Sequence, residues 1–128
     1  MKNETLLSIA IDYLRTVTHL SPEQLRGYLA DWKLVPYFYR GQLAGCALMK
    51  GSEIHFVMRP EWRGVAFRRD SAHRFLKPLV AAHGGLTTRV QLNDELRHRF
   101  VTRIGFVETH RSSSFVFYGL DRAPFARK

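Results

Sequence analysis

Glu53-Ile54-His55-Phe56-Val57-Met58-Arg59-Pro60 alternates apolar Ile54, Phe56 and Met58 with polar Glu53, His55 and Arg59. A period of two reads as a strand with two unlike faces. Pro60 has no amide hydrogen for a ladder, so the strand is expected to end there or to splay from its neighbour. The turn Glu61-Trp62-Arg63-Gly64-Val65-Ala66 follows, and then Ala72, Phe75, Leu76, Leu79 and Val80 recur at helical spacing. Gly84-Gly85 stops that helix, and residues 86–92 read as a second strand. Strand, glycine-bearing turn, helix and strand form a β-α-β crossover, expected to be right-handed with parallel, adjacent strands that diverge at their C-terminal ends. Backbone amides between Arg63 and Arg68 would then face outward at a helix N-terminus, where anionic phosphate is favoured. Pro78 is expected to kink this helix near Arg74 or to end it early.

On the N-terminal side, Leu6, Leu7, Ala10, Tyr13, Leu14 and Val17 mark an amphipathic helix over residues 4–19. Ser21-Pro22-Glu23-Gln24 supplies an N-cap, a first-position proline and an acidic first turn for a second helix, expected to run to about Trp32. Residues 35–40 and 43–50 are strand-like across a Gly41-Gln42 turn, and Gly51-Ser52 leads into the Glu53 strand, giving an antiparallel meander. On the C-terminal side, residues 94–104 read as a helix with Leu96, Phe100, Val101 and Ile104 inward and Gly105 as its left-handed cap. Residues 106–110 and 114–118 form a last hairpin across Arg111-Ser112-Ser113, and residues 121–128 read as an exposed arm.

A length of 128 residues fits one domain, residues 1–128, with a real core. An apolar content of 45% with 24% charged residues is that of a globule, not a disordered tail. No apolar run approaches the roughly 20 residues that span a bilayer, and Met-Lys-Asn-Glu-Thr makes a poor signal peptide. Cys46 is alone, which excludes an internal disulfide and points to a cytoplasmic protein. The net charge of +9 is carried mostly by arginine, whose fork suits phosphate. Coenzyme phosphates, nucleic acid and an acidic protein surface compete as partners for it, beside a simply solvated basic surface.

Arg63-Gly64-Val65-Ala66-Phe67-Arg68, after Met58-Arg59-Pro60, resembles the acetyl-coenzyme A motif of the GNAT N-acetyltransferases. That motif reads Arg/Gln-x-x-Gly-x-Gly/Ala after a Val-x-Pro strand end. Asn93 and Asp94, then Ile104-Gly105-Phe106, resemble the family's next landmarks, an Asn opening a helix that closes in Gly-Phe. The likeness covers roughly the last two-thirds of the chain, in order. Ala66 stands where the first motif glycine is expected, and Arg68 replaces the second small residue. The combination most resembles the small GNAT-like proteins of tailed phages, an internal-virion-protein branch among them. The family usually opens on a strand, and none is legible before the first helix.

The resemblance implies an α/β fold, a twisted mixed sheet flanked by about four helices, with acetyl-coenzyme A as cosubstrate. It implies that Met58 and nearby amides hold the pantetheine arm. Arg63, Gly64, Val65, Ala66, Phe67 and Arg68 would hold the pyrophosphate, with Asn93 also on the coenzyme. Acetyl transfer also requires a base for the amine and an acid for the departing thiolate. Glu53 and His55 share one strand face beside the expected acceptor, and either can serve as the base; simple solvation is the competing reading. The family's general acid is a tyrosine on the last helix. Counting back from Gly105 its place holds Val101, counting forward from Asn93 it holds Phe100, and Asp94 can take the Asn position instead. Neither Val101 nor Phe100 donates a proton; Tyr118 or water remains as a substitute.

His73, His83, His98 and His110 lack metal-ligand spacing. Arg97, Arg99 and Arg103 read as the wet side of a helix. Tyr37, Phe38 and Tyr39, one of them expected in the core, lack the ordered platform of a single-strand binder. The leading expectation is an acetyl-coenzyme A-binding, N-acetyltransferase-like protein acting on an amine. The alternative is a catalytically silent GNAT-like phage protein that binds other proteins or phage structural proteins during virion assembly. A homo-oligomer is left open, a nucleic-acid role comes third, and no membrane is implied.

Overall fold

The computed structural model describes residues 3–62 and 69–121, apart from the Arg69 side chain. The described residues form four helices and six strands, and the strands take the order β1-β2-β3-β4-β6-β5 in one mixed sheet. Two compact units divide the chain, one holding residues 1–50 with 54–67 and the other residues 51–53 with 68–128.

The first unit opens on α1, Glu4–Val17. The Asn3 side chain accepts from the Thr5 and Leu6 amides, satisfying donors that a helix start leaves unpaired. Leu6, Leu7, Ile9, Ala10 and Ile11 are buried, whereas Val17, expected on the apolar face, is 60% exposed. A full capping box of Ser21 and Gln24 starts α2, Pro22–Leu29, which ends three residues before the expected Trp32. A turn closed by the Trp32 amide on Leu29 O replaces its last part and drives Trp32 into the core. β1 is Lys33–Tyr39, β2 is Gln42–Lys50, and they pair antiparallel around Arg40-Gly41, both at positive φ. Tyr37 is the buried member of the aromatic run and Phe38 is 58% exposed. Leu25, Leu29, Cys46, Leu48 and Val57 close a core beneath α1.

β3 runs Glu53–Met58, and a single 3-10 turn, Pro60–Trp62, ends the strand where the proline was expected to end it. Gly45 lets β2 approach β3 closely. A Cβ there would press on the Val57 carbonyl oxygen and lie 2.9 Å from Met58 Cα. Nothing in the sequence pattern marks that approach.

In the second unit, Glu53 lies opposite Thr87 in a parallel pairing, and the Thr87 amide donates to Ser52 O at 2.8 Å. The expected parallel neighbours are therefore present. α3, Arg69–His83, is one continuous helix through Pro78, so the early end does not occur. Gly84, at φ 71°, caps it, with the Gly85 amide returning to Val80 O. β4 is Leu86–Gln91, α4 is Glu95–Arg103, and β5, Val107–Arg111, and β6, Phe115–Leu120, form the closing hairpin.

Asp94 caps α4 by accepting from the Arg97 amide. At the far end Gly105 N–H reaches Thr102 O and Phe106 N–H reaches Val101 O, the reciprocal pair of a Schellman cap. That cap is the physical reason for Gly-Phe after this helix. The inward positions are His98 and Phe100, half-buried, with buried Val101 and Ile104. Leu96 corrects the sequence reading: it is 74% exposed, because a helix fixed by Asp94 and Val101 turns it roughly 140° from the core side.

Candidate functional site

Each residue that the sequence nominated as a base is engaged, but differently. The Glu53 carboxylate meets Arg89 Nε at 3.5 Å, and the Arg89 guanidinium also lies 4.9 Å from the centre of the Phe115 ring. His55, half-buried on β3, meets the Trp32 ring edge-on at 5.7 Å, and Lys50 approaches the same indole at 5.8 Å. Trp32 thus packs against one edge of the site around His55.

Met58 is half-buried as the last residue of β3. Just beyond it the Arg59 amide donates to Ala44 O at 2.9 Å, its guanidinium reaches Leu43 O at 3.3 Å, and its Nε lies 3.6 Å from Glu61. The amide of Trp62 closes back on Arg59 O, and its ring packs edge-on against Tyr39. The chain is therefore firmly held up to the last described residue before the motif turn. Arg63, Gly64, Val65, Ala66, Phe67 and Arg68 lie outside the described residues. Asn93 is exposed in the short link between β4 and α4.

Met58 and Arg59 also wall a cavity of about 560 Å³ that the sequence reading did not foresee. Its other wall is α1, through the row Glu4, Ser8, Asp12 and Thr16, with Ile9 and Tyr13 beside them. Four polar residues at intervals of four fall on one helix stripe, and that spacing was the available signal.

The proton donor is a separate matter. Because Asp94 caps α4, counting forward from the cap and back from Gly105 both reach Val101, which is 2% exposed and carries no proton. Three residues before it, His98 Nε2 lies 2.8 Å from Gln91 O and 3.2 Å from Leu92 O. Carbonyl oxygens only accept, so Nε2 holds the ring hydrogen and Nδ1 is the acceptor. The Tyr118 hydroxyl, 2.7 Å from Nδ1, must then donate to it. Burial pushes the Tyr118 hydroxyl up from the ordinary tyrosine range, and the charge of Glu108 acts in the same direction. Sequence reasoning named Tyr118 without its partner, since only the fold brings β6 to this turn of α4. Among the described residues no group of three or more His, Cys, Asp or Glu is close enough to hold a metal ion.

The fold is that of the GNAT acetyltransferases. A spermidine N-acetyltransferase SpeG chimera from Vibrio cholerae is similar over 98% of this chain and 97% of its own, with a TM-score of 0.69 at 13% identity. The N-acetyltransferase PseH of Campylobacter jejuni, solved in complex with acetyl coenzyme A, matches with a TM-score of 0.66 at 14% identity, over 95% and 94% of the two chains. A ribosomal-protein-alanine N-acetyltransferase from Brucella melitensis matches with a TM-score of 0.65 at 14% identity, over 91% of each. No protein-family model matches the chain, and no curated protein matches it in sequence. No described helix is long and apolar enough to cross a membrane.

Proposed function

We propose that this chain binds acetyl-coenzyme A and passes its acetyl group to an amine. The observation that carries the reading is the parallel pairing of Glu53 with Thr87 in a sheet of GNAT order, with Arg63-Gly64-Val65-Ala66-Phe67-Arg68 following in sequence after β3 and its closing 3-10 turn. A neighbour of the same fold was solved with acetyl coenzyme A. In this reading the amides of that turn receive the pyrophosphate, Met58 adjoins the pantetheine arm, and Asn93 contributes from the link before α4. The unprotonated amine adds to the thioester carbonyl. The C–N bond forms, the C–S bond breaks, the nitrogen gives a proton to the base, and the thiolate takes one up. Of the two candidates His55 is the first base to test, because an imidazole exchanges protons near neutral pH.

One observation favours a second reading, binding without chemistry. Val101, which the resemblance sets against the family's tyrosine when counted back from Gly105, is buried and has no acidic proton, and a chain of this kind can serve as a docking protein, on virion proteins or others. Following release of free coenzyme A with a panel of amines separates the two. Turnover that falls about a hundredfold or more in His55→Ala supports the transferase. Fast turnover that survives both His55→Ala and Glu53→Gln would place the base elsewhere. Bound acetyl-coenzyme A without turnover on any amine supports the second reading.

A further inference from the structure

The cavity between α1 and the end of β3 lies within the first unit. Its volume of about 560 Å³ lies within the range of small-molecule sites. The α1 row from Glu4 to Thr16 spans about 18 Å at 1.5 Å per residue, so the groove is elongated. Its lining combines carboxylates and hydroxyls with apolar Ile9, Met58 and Pro60.

The charges on this wall do not cancel. Glu4 takes both terminal nitrogens of Arg26, at 3.2 and 3.3 Å, and Glu61 pairs with Arg59. Asp12 has neither an ion pair nor a hydrogen bond among the described residues. A surplus carboxylate on a chain of net charge +9 runs against the sign of the molecule as a whole. An anion would meet Asp12 here, whereas a cation would find a carboxylate that no described side chain pairs with.

We propose that this cavity binds a small aliphatic amine with two basic nitrogens, one of them held as an ammonium by Asp12. The second nitrogen follows from the chemistry. A nitrogen that attacks a thioester must be unprotonated, so the charged nitrogen gripped by a carboxylate cannot be the one that reacts. A methylene chain joining them would lie against Ile9, Met58 and Pro60. The fate of the second nitrogen rests on the acetyltransferase reading; binding in the cavity does not.

Titration of the full chain with 1,4-diaminobutane, followed by amide NMR at low salt with and without coenzyme A, tests this. Shifts are expected at Ser8, Asp12, Thr16 and Met58. The affinity should weaken about two- to fivefold in Asp12→Asn, the scale of one exposed ion pair, and further in Asp12→Lys. Circular dichroism checks that both variants fold. n-Butylamine should shift the same amides without becoming acetylated, as its only nitrogen is the one held. Equal diamine affinity in wild type and Asp12→Asn overturns the assignment. So do shifts confined to other residues, or a short peptide shifting these amides when the diamine does not. Diamine binding here in a chain that ignores acetyl-coenzyme A would retire the transferase and keep the cavity. Acetyl-coenzyme A binding with no diamine shift in either condition would do the reverse.

Discussion

Tyr118 and His98 show how one side-chain pair settles several backbone groups. The imidazole joins a buried hydroxyl on β6 to two carbonyls that end β4. Tyr118→Phe removes the donor and leaves Nδ1 unmatched, so denaturant unfolding should show a loss of about 1 kcal/mol. The pH dependence has a definite sign. The folded Tyr118 value lies above the unfolded one, so the protonated form is the one folding favours. Its contribution is complete below about pH 10 and is lost as pH rises through the folded value, a decline that Tyr118→Phe should abolish. Cys46 lies 1% exposed under α1, and burial pushes its thiol up to about 12. Iodoacetamide at pH 8 should therefore label it only as fast as the first unit opens. Rapid labelling of folded protein would contradict that packing.

Among the elements, α4 separates what sequence can say from what it cannot. Gly105-Phe106 and the approximate helix were legible because cap chemistry is local. Which of Phe100 and Val101 stands at the family's tyrosine position was not legible, as one residue of slack in Asn93-Asp94 shifts the count. The choice of Asp94 as cap moves the forward count to Val101 and also turns Leu96 outward. Restoring the acid by Val101→Tyr should fail. The larger ring would overpack a buried site and lower stability by about 1–3 kcal/mol, measured by thermal unfolding, without raising turnover. The β2–β3 contact was equally hidden, because Gly45 matters only for what lies across from it. Gly45→Ala should cost about 1–3 kcal/mol by pressing on Val57 O and shifting Met58.

At the scale of the molecule, alternation, turn glycines and the strand–helix–strand order around Glu53 were enough to anticipate the mixed sheet and its parallel pair. The candidate site was less legible. Side chains such as Arg89 and Trp32, distant in sequence, determine what Glu53 and His55 can do. The α1 row became a cavity wall only once β3 ended beside it. The proposal that the chain binds acetyl-coenzyme A is tested most directly by calorimetric titration of that coenzyme into wild type and Gly64→Val. Saturable one-to-one binding is expected for wild type, sharply weakened in Gly64→Val, where a branched side chain would intrude on amides approaching the pyrophosphate. No binding to folded wild type, or equal affinity in the two proteins, would contradict a coenzyme site at this turn.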